Sequence, residues 1–284
     1  MTTSRRGFLA ATLAIAATTG LSACGASSND SATTSDKPLV ILASSTPHAE
    51  LLKQVQTLNL LGDVKITVRE ITGEIDPNQI LESGDVDANF FQHVPYLTSW
   101  QTEHGTDDLV SVASTHVEPL GLYSKKVTDL ASTPEGATIA VPQDVTNYAR
   151  GLFLLQQAGL ITLDVKPGDA DLDYSQVTEK NITGNPKNFT FLQVDRPQLP
   201  ATLDDAKVTL SVINGNYALE AGLKPATDSL AIESADNNPY ANILVVRKAL
   251  ETDARVTKVA EALTSPEIKK WITDTYEGSV VPAS

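Results

Sequence analysis

Short apolar runs alternate with amphipathic segments along most of this chain, and the alternation predicts repeated strand–helix units. Residues 39–42 form a fully apolar run, typical of a buried strand, whereas 64–69 alternate apolar and polar side chains as a half-buried strand does. Further strands are predicted at 86–91, 137–141, 189–194, 208–213 and 242–246. Helices are predicted at 47–58, 76–84, 95–104 and 146–158, near 199, up to 222, and twice before the C-terminus. The pattern indicates an α/β protein with mostly parallel sheets flanked by helices.

The N-terminus has the layout of an export signal. The Arg5–Arg6 pair supplies a basic head, 8–17 a short apolar core, and 21–24 read Leu-Ser-Ala-Cys. The apolar run is shorter than the about 20 residues that a membrane-spanning helix needs. The paired arginines resemble a twin-arginine leader, although an ordinary secretion signal can also begin with two arginines. We predict that a signal peptide over 1–23 is removed before Cys24.

Cys24 is the only cysteine of the chain, so no disulfide within the chain is available to stabilise the fold. The phrase that ends with it resembles the lipobox of bacterial lipoproteins, in which the thiol takes a diacylglyceryl group. The alternative is an ordinary secreted protein with an incidental cysteine. Two or more acyl chains hold a protein stably at a membrane. We therefore expect a lipid anchor on the extracytoplasmic face of the cell membrane, with the small polar residues up to 37 making 24–37 a flexible tether.

The charge of the chain argues against two classes of partner. The net charge is −14, and the predicted leader contains two of the 21 basic residues and none of the 35 acidic ones, so the mature chain carries −16. That acidity argues against nucleic acid and against electrostatic attachment to anionic lipid. The sequence contains no internal repeat, and its length allows two lobes.

Aromatic and imidazole side chains follow the predicted strand at 86–91. Phe91, His93 and Tyr96 stand where this strand passes into the next helix, and such junctions expose side chains into clefts. The alternative is that both rings belong to the core and the imidazole only caps the helix. From this segment alone the two interpretations are equally good.

Two further strands also end in polar groups that suit an amino acid. Arg150 is predicted in the first turn of the helix after 137–141, where a cation opposes the helix dipole unless an anion is bound. A guanidinium grips a carboxylate with two parallel hydrogen bonds. Asn214 follows 208–213, and its amide can donate and accept at once, as a zwitterion requires. The alternatives are a surface arginine and ordinary turn chemistry.

Motifs for catalysis and metal binding are missing from the sequence. It contains no Gly-x-Ser-x-Gly elbow, no His-Glu-x-x-His pair and no phosphate loop. We expect no metal site and no cofactor, because the spacing of the four histidines is not that of metal ligands. The histidines are His48, His93, His104 and His116. The groups at the strand ends hold a ligand well but carry out little chemistry, so we expect a binding protein and no enzyme.

Seven phrases resemble, in order, those of the NlpA/MetQ family, the methionine-binding lipoproteins of ABC importers. They lie at 46–50, 87–97, 116–124, 141–150, 185–189, 212–218 and 239–247. The resemblance extends over about 38–284. It implies the two-lobed type II periplasmic-binding-protein fold, each lobe a mostly parallel sheet flanked by helices, with two crossover strands as the hinge.

The resemblance also implies lobe boundaries. Lobe 1 is expected to consist of 38–118 plus 241–284, and lobe 2 of 119–240. The two crossings are expected near 118–123 and 239–246.

The resemblance assigns the apolar part of the ligand site to the aromatic residues. Phe91 and Tyr96 would flank the thioether, a contact that contributes about 0.3 to 1.5 kcal/mol per ring. His93 would hydrogen-bond the ligand or orient it.

The resemblance assigns the amino-acid backbone of the ligand to polar residues. Arg150 would bind the carboxylate, and Asn214 would grip the backbone groups. Asn147 and Asn242 would contribute further contacts. We expect replacement of Arg150 or Asn214 by alanine to abolish tight binding without moving the thermal transition of the empty protein.

One position departs from the family pattern. Glu74 stands where the family commonly has a tyrosine on the pocket wall. A carboxylate beside a thioether is poorly compensated, although it could receive the ammonium of the ligand or favour a more polar side chain. We therefore hypothesise that the ligand preference differs from plain L-methionine.

The leading functional hypothesis is a monomeric lipoprotein that captures methionine and delivers it to an ABC permease driven by a cytoplasmic ATPase. L-methionine is the first candidate and D-methionine the second. An alternative in the same family is another amino acid or a short methionine-containing peptide. A secreted hydrolase is disfavoured because no nucleophile has a base at suitable spacing. An adhesion lipoprotein without a binding site is disfavoured by Arg150, Asn214 and the aromatic pair.

Overall fold

The computed structural model describes residues 37–73, 75–169 and 171–283. All of these residues belong to one compact unit. The predicted signal peptide, the predicted lipidation site Cys24 and the predicted tether up to residue 36 lie outside the described residues, and so does Glu74. The predictions for these positions stay predictions.

Strands and helices alternate along the described chain. The strands are β1 (Leu39–Ala43), β2 (Ile66–Glu70), β3 (Ala88–His93), β4 (Leu109–Val117), β5 (Gly121–Tyr123), β6 (Thr138–Pro142), β7 (Thr162–Leu163), β8 (Ile182–Gly184), β9 (Thr190–Val194), β10 (Val208–Ile213), β11 (Ala231–Ile232), β12 (Asn242–Arg247) and β13 (Val281–Pro282). The α-helices are α1 (Glu50–Thr57), α2 (Pro77–Ser83), α3 (Val94–His104), α4 (Val145–Gln157), α5 (Gly215–Glu220), α6 (Pro225–Asp228), α7 (Ala254–Leu263) and α8 (Pro266–Tyr276). Short 3₁₀ segments join several of them, the longest at Arg196–Asp204.

Local capping chemistry explains several helix boundaries. Asp76 precedes α2, and its carboxylate accepts hydrogen bonds from the backbone N–H groups of Asn78 and Gln79. Gly84 ends the helix in the left-handed conformation that favours glycine. By contrast, α1 begins at Glu50 and not at Pro47, because Thr46 has an extended backbone. An irregular helical turn over Ser45–Ala49 stands in its place.

Six strands form the large sheet, in the order β13-β4-β12-β3-β1-β2. β1 runs parallel to β2 and β3, whereas β12 runs antiparallel to both β3 and β4. In this register Asn242, the first residue of β12, lies beside His93 on one side and His116 on the other. The large sheet therefore brings three polar residues from distant segments to one edge.

Five strands form the small sheet, in the order β11-β5-β10-β6-β9. β6 runs parallel to β9 and β10, and β5 runs antiparallel to β10 and β11. The carboxyl ends of β6 and β10 lead directly into α4 and α5. Side chains that follow these two strands consequently meet at one edge of the small sheet.

The α/β architecture with helix-flanked sheets is as predicted, and the sheets themselves are mixed. The strands predicted from the sequence are those that pair in parallel, with the exception of β12. The antiparallel partners β4, β5 and β11 were not predicted, and they lie next to the segments in which the chain changes sheet. In the large sheet, β12 lies between β3 and β4, which run in the same direction, and it is antiparallel to both because the chain enters this sheet again from the opposite end.

Each sheet has its own apolar core. In the large sheet, Ile41, Phe90 and Leu244 pack against α1, α7 and α8. In the small sheet, Ile139 and Leu210 pack with apolar residues of α4, such as Leu152. Two separate cores indicate that each sheet, with its helices, is a distinct layer of the protein.

The chain changes sheet twice. The first crossing, 118–120, joins β4 of the large sheet to β5 of the small sheet. The second crossing, 233–241, returns from β11 to β12. α3 from the large sheet contacts α4 from the small sheet, so the two layers face each other across a cleft beside these crossings. The lobe boundaries themselves stay a prediction.

None of the helices in the described part of the chain has both the length and the apolar character that crossing a bilayer requires.

Candidate functional site

The end of β3 presents an aromatic pair to the cleft. Phe91 and Tyr96 are half-buried, and their rings meet edge to face with centroids 5.7 Å apart. Between them His93 caps α3, because its Nδ1 accepts a hydrogen bond of 3.1 Å from the backbone N–H of Tyr96. The capping interpretation of His93 is therefore correct, and it does not exclude a role in the site.

The other ring nitrogen of His93 reaches across the cleft. Because Nδ1 is an acceptor, Nε2 carries the proton of the neutral ring and donates it to Oδ1 of Asn147 at 3.3 Å. Burial, reinforced by the Arg150 charge, lowers the pKa of His93 to about 3. His93 is thus a neutral donor that links the large sheet to α4.

Asn147 is completely buried, and protein groups occupy its amide. Its Oδ1 accepts from His93 and also from Nδ2 of Asn214 at 2.9 Å, while its own Nδ2 donates to Asp144 at 2.9 Å. Asp144 caps α4 and accepts from the backbone N–H of Asn147 at 3.0 Å. These bonds orient Asn147 and make it a support for its neighbours.

Asn214 keeps one strong acceptor unused. It precedes α5, is 6 % exposed, and gives its Nδ2 to Asn147. Its Oδ1 is buried and has no hydrogen-bond partner among the described residues. A buried oxygen without a donor costs free energy, so this position suits a ligand that brings a donor.

Arg150 lies in the second turn of α4 and not in the first, so helix-dipole repulsion is weaker than the sequence indicated. It is 2 % exposed. Its Nη2 donates to the backbone carbonyl of Glu118 at 2.9 Å and to Oε2 of Glu233 at 2.6 Å. Burial alone would lower the pKa of Arg150, but the Glu233 carboxylate offsets this, and the pKa lies above its ordinary value.

Tyr240 of the second crossing packs between the imidazole and the guanidinium. The Arg150 Cζ lies 4.6 Å from the centroid of its ring, and the His93 ring centroid lies 5.0 Å from it. A cation over a ring face is attracted by about 0.5 to 2 kcal/mol, with the larger values in desolvated sites. Tyr240 therefore ties both residues to the second crossing.

Arg196 provides a second contact across the cleft. It begins the 3₁₀ segment after β9, and its Cζ lies 5.0 Å from the ring centroid of Tyr96. Its Nε lies 3.2 Å from Oδ2 of Asp144. A cavity of about 280 Å³ opens beside this contact, between α3 and the start of α4. Tyr96 is thus held from both sides of the cleft.

A buried cluster joins the first crossing to the large sheet. Nε2 of His48 and Nε2 of His116 lie 3.2 Å and 2.8 Å from the same Oε1 of Glu118. His48 Nε2 also lies 3.0 Å from Oδ1 of Asn242, so it must be the donor to both oxygens. Burial lowers the pKa of His48 to about 4 and that of His116 to about 3, and it raises the pKa of Glu118.

The same cluster brings together three side chains of types that bind metals, with one ligand atom of each within 4.8 Å of the others. The sequence spacing of the histidines did not predict this grouping. β4 and the turn after β1 bring together residues that are distant in the chain. The hydrogen bonds described above occupy these ligand atoms.

The first crossing also needs a close backbone approach. A Cβ atom on Gly215, the first residue of α5, would lie 3.1 Å from the carbonyl oxygen of Pro119 and 3.2 Å from Cβ of Glu118. Glycine therefore allows α5 to pack on the crossing. This contact places Asn214 beside the first crossing.

Six of the seven predicted ligand residues lie in one continuous set of contacts: Phe91, His93, Tyr96, Asn147, Arg150 and Asn214. The seventh, Glu74, lies outside the described residues. The roles of all seven residues toward a ligand stay predictions.

Sequence reasoning did not identify Glu233, Tyr240, Arg196 or Asp144 as site residues. Tyr240 lies within the phrase at 239–247 that resembles the family, and this resemblance could have indicated it as a site residue. Nothing in the local pattern points to Arg196 or Glu233, because their partners are more than 50 residues away in the chain.

Comparison with known proteins identifies the family. The NlpA lipoprotein family matches residues 39–284. The chain is 40 % identical over 265 residues to the methionine-binding lipoprotein MetQ of Bacillus subtilis, covering 93 % of this chain and 94 % of that protein. It is 38 % identical to the D-methionine-binding lipoprotein MetQ of Salmonella typhi, covering 85 % and 86 %.

The fold agrees with solved structures of similar proteins. A nutrient-binding protein from Burkholderia cenocepacia bound to methionine superimposes with a TM-score of 0.78 at 38 % identity, covering 87 % of this chain and all of that one. The match extends over both sheets, since it reaches nearly the whole described chain. With the family match over residues 39–284, these similarities establish that the chain belongs to the NlpA lipoprotein family.

Proposed function

We propose that this chain is an extracytoplasmic solute-binding lipoprotein that captures methionine and delivers it to an ABC import permease. The relatives named for methionine binding and the methionine-bound structure support this proposal. One observation in the chain itself supports it most directly. A guanidinium, an unused buried amide oxygen and an aromatic pair meet at the cleft between the two sheets.

Each part of an amino acid has a complementary group in this site. The α-carboxylate would meet the guanidinium of Arg150, whose Nη1 takes no part in the bonds to Glu118 and Glu233 described above. The α-ammonium would donate to Oδ1 of Asn214, which lacks a donor. Charge-assisted bonds of this kind contribute about 1.5 to 3 kcal/mol each.

The side chain of methionine suits the remaining wall. Its thioether would lie against Phe91 and Tyr96, where sulfur–ring contacts contribute about 0.3 to 1.5 kcal/mol each. His93 and Asn147 would act by holding this wall and Asn214 in place. Asn242, whose Oδ1 accepts a hydrogen bond from Nε2 of His48, would contribute a further contact to the ligand.

Calorimetric titration of the mature protein tests this proposal. The panel contains L-methionine, D-methionine, norleucine, glutamine and a methionyl dipeptide. Binding of methionine more tightly than of the other compounds is the expected result. Tighter binding of glutamine would support the alternative amino acid, and tighter binding of the dipeptide would support the peptide alternative. No binding of any of them would contradict the proposal.

Delivery requires the protein to stay near its permease, and we propose that lipid on Cys24 does this. The 13 residues between Cys24 and the folded domain, 25–37, reach about 45 Å when fully extended, which lets a monomer turn over a permease without diffusing away. Cys24→Ala should release the protein from the membrane fraction and abolish incorporation of labelled palmitate. Retention of Cys24→Ala in that fraction would contradict the anchor.

The energy for transport would come from an ATPase on the cytoplasmic side, since the residues of the cleft only bind and orient. The Cys24→Ala protein tests how much the anchor contributes to delivery. Its titration with methionine should match that of the lipidated protein, while uptake by cells should fall. Unchanged uptake would show that the anchor is not needed for delivery.

A further inference from the structure

Arg150, the residue assigned to the ligand carboxylate, already holds a carboxylate. Its Nε lies 3.0 Å and 3.1 Å from the two oxygens of Glu233, and its Nη2 lies 2.6 Å from Oε2. The two side chains are 2 % and 13 % exposed. The pair is therefore largely desolvated, and the charge of Arg150 is balanced before any ligand arrives.

The position of Glu233 is determined by the first crossing. Its backbone N–H donates to the carbonyl of Leu120 at 2.9 Å, and its Oε2 accepts from the backbone N–H of Leu120 at 3.1 Å. The backbone bond extends the pairing of β11 with β5 by one residue, and the side-chain bond fixes the carboxylate beside it. The carboxylate is thus held by main chain on one side and by Arg150 on the other, which distinguishes it from a mobile surface acid.

An arginine that is already paired with a carboxylate selects ligands differently from an unpaired arginine. A free buried guanidinium would attract any monoanion. Beside Glu233, an incoming carboxylate meets a like charge, and such juxtaposition is strongly unfavourable. A ligand that carries its own ammonium adds no net charge to the site, and the unpaired Oδ1 of Asn214 supplies an acceptor for it.

We propose that Glu233 is a specificity-determining residue that makes the site select zwitterionic amino acids and reject the matching monoanions. This inference rests on the proposed function, because it takes Arg150 as the group that meets the ligand carboxylate. It adds to that function the class of ligand excluded, namely carboxylates with the same side chain and no ammonium.

The experiment compares two ligands that differ only in the ammonium group. L-methionine and 4-(methylthio)butanoate, which is methionine without its amino group, are titrated into wild-type protein and Glu233→Gln. In the wild type the butanoate should bind at least about a hundredfold more weakly. In Glu233→Gln the ratio of the two dissociation constants should fall at least about tenfold, mainly through tighter binding of the butanoate.

Two further variants separate charge from structure. Glu233→Asp keeps the negative charge and should keep a ratio close to that of the wild type. Glu135→Gln makes the same substitution at an exposed position bonded to Asn188 and should leave both affinities unchanged. Thermal transitions of the empty proteins report whether each variant is folded.

The possible results are distinct. An unchanged ratio in folded Glu233→Gln would overturn the inference, even if both affinities fell together, since that is what loss of a purely structural contact produces. If Glu233→Gln does not fold, the wild-type protein can still contradict the inference, because butanoate binding within threefold of methionine is incompatible with rejection of monoanions. Failure of the wild type to bind methionine would overturn the proposed function as well.

Discussion

His93 and Asn147 meet across the cleft: Nε2 of the imidazole, at the end of β3, lies 3.3 Å from the amide oxygen of Asn147 in α4. The bond requires a neutral ring whose proton is on Nε2, because Nδ1 accepts from the backbone N–H of Tyr96. One uncharged histidine therefore caps a helix of one layer and contacts a helix of the other.

The buried histidines make stability depend on pH. The pKa values of His48, His93 and His116 are lowered to about 4, 3 and 3, from 6.5. Below about pH 6.5 the unfolded chain binds protons that the native protein does not, so the free energy of unfolding falls as the pH falls. Each histidine contributes up to about 1.4 kcal/mol per pH unit, and Glu118, whose pKa burial raises, offsets part of this. Urea denaturation between pH 7 and pH 4 measures the slope.

His93→Gln should reduce the slope of unfolding free energy against pH by about 1.4 kcal/mol per pH unit, which corresponds to one proton. His104→Gln is the matched control at the exposed end of α3. A slope for His93→Gln equal to that of the wild type would contradict the buried neutral state of His93.

Arg150→Ala should abolish tight methionine binding and also destabilise the empty protein by up to about 3 kcal/mol, because it leaves the largely desolvated carboxylate of Glu233 without its cation. This replaces the expectation from sequence that the thermal transition would not move. Removing Glu233 as well, in Arg150→Ala/Glu233→Ala, should restore most of the stability but not the binding. Thermal denaturation and calorimetry measure the two effects.

Arg255→Ala removes a guanidinium that pairs with Asp253, away from the cleft, and should leave binding intact. A thermal transition of Arg150→Ala that equals that of the wild type would show that the pair with Glu233 does not stabilise the fold.

Asn214→Ala should weaken methionine binding by roughly tenfold to a hundredfold, the equivalent of about 1.5 to 3 kcal/mol, since it removes the acceptor assigned to the ammonium. The empty protein should lose only about 1 kcal/mol, because one hydrogen bond to Asn147 is lost. Titration and urea denaturation separate the effects. Asn181→Ala, which also removes an amide bonded to a protein partner, is the control. Unchanged affinity in Asn214→Ala would remove Asn214 from the site.

Phe91→Ala should weaken methionine binding by about tenfold, because a sulfur–ring contact of up to about 1.5 kcal/mol is lost. The preference for methionine over norleucine, in which a methylene replaces sulfur, should shrink. Titrations with both ligands measure this preference. Phe191→Ala makes the same change at a half-buried position of β9 and should keep the preference. A preference that survives in Phe91→Ala would place the thioether elsewhere.

Glu74→Tyr tests the departure from the family pattern. If the carboxylate faces the ligand, the tyrosine should raise the affinity for methionine relative to glutamine, since an unpaired carboxylate beside a thioether is unfavourable. Competition between the two amino acids measures the ratio. Glu251→Tyr, at an exposed position after β12, is the control. Equal ratios in Glu74→Tyr and wild type would reject the hypothesis that Glu74 changes ligand preference.

Local pattern in the sequence determined most of the secondary structure. Alternation and apolar runs predicted β1, β3, β6, β10 and β12 to within two residues. Capping residues such as Asp76 and Gly84 marked where α2 begins and ends. Part of the candidate site also followed from sequence, because parallel strands bring the residues after their carboxyl ends to one edge. Phe91, Arg150 and Asn214 all stand after such strands or at their ends.

Only the tertiary structure decided how these residues are held. Arg150 pairs with Glu233, 83 residues later, and His48 with Asn242, 194 residues later. Pairings over such distances depend on which strands become neighbours, and no local periodicity encodes that. The antiparallel strand β4 escaped prediction for the same reason, since its partners β12 and β13 come more than 100 residues after it. The sequence by itself indicated Phe91, Arg150 and Asn214 as candidate ligand residues. The fold decided that Arg150 is already paired with a carboxylate, because only the crossing of the chain between its sheets brings Glu233 beside it.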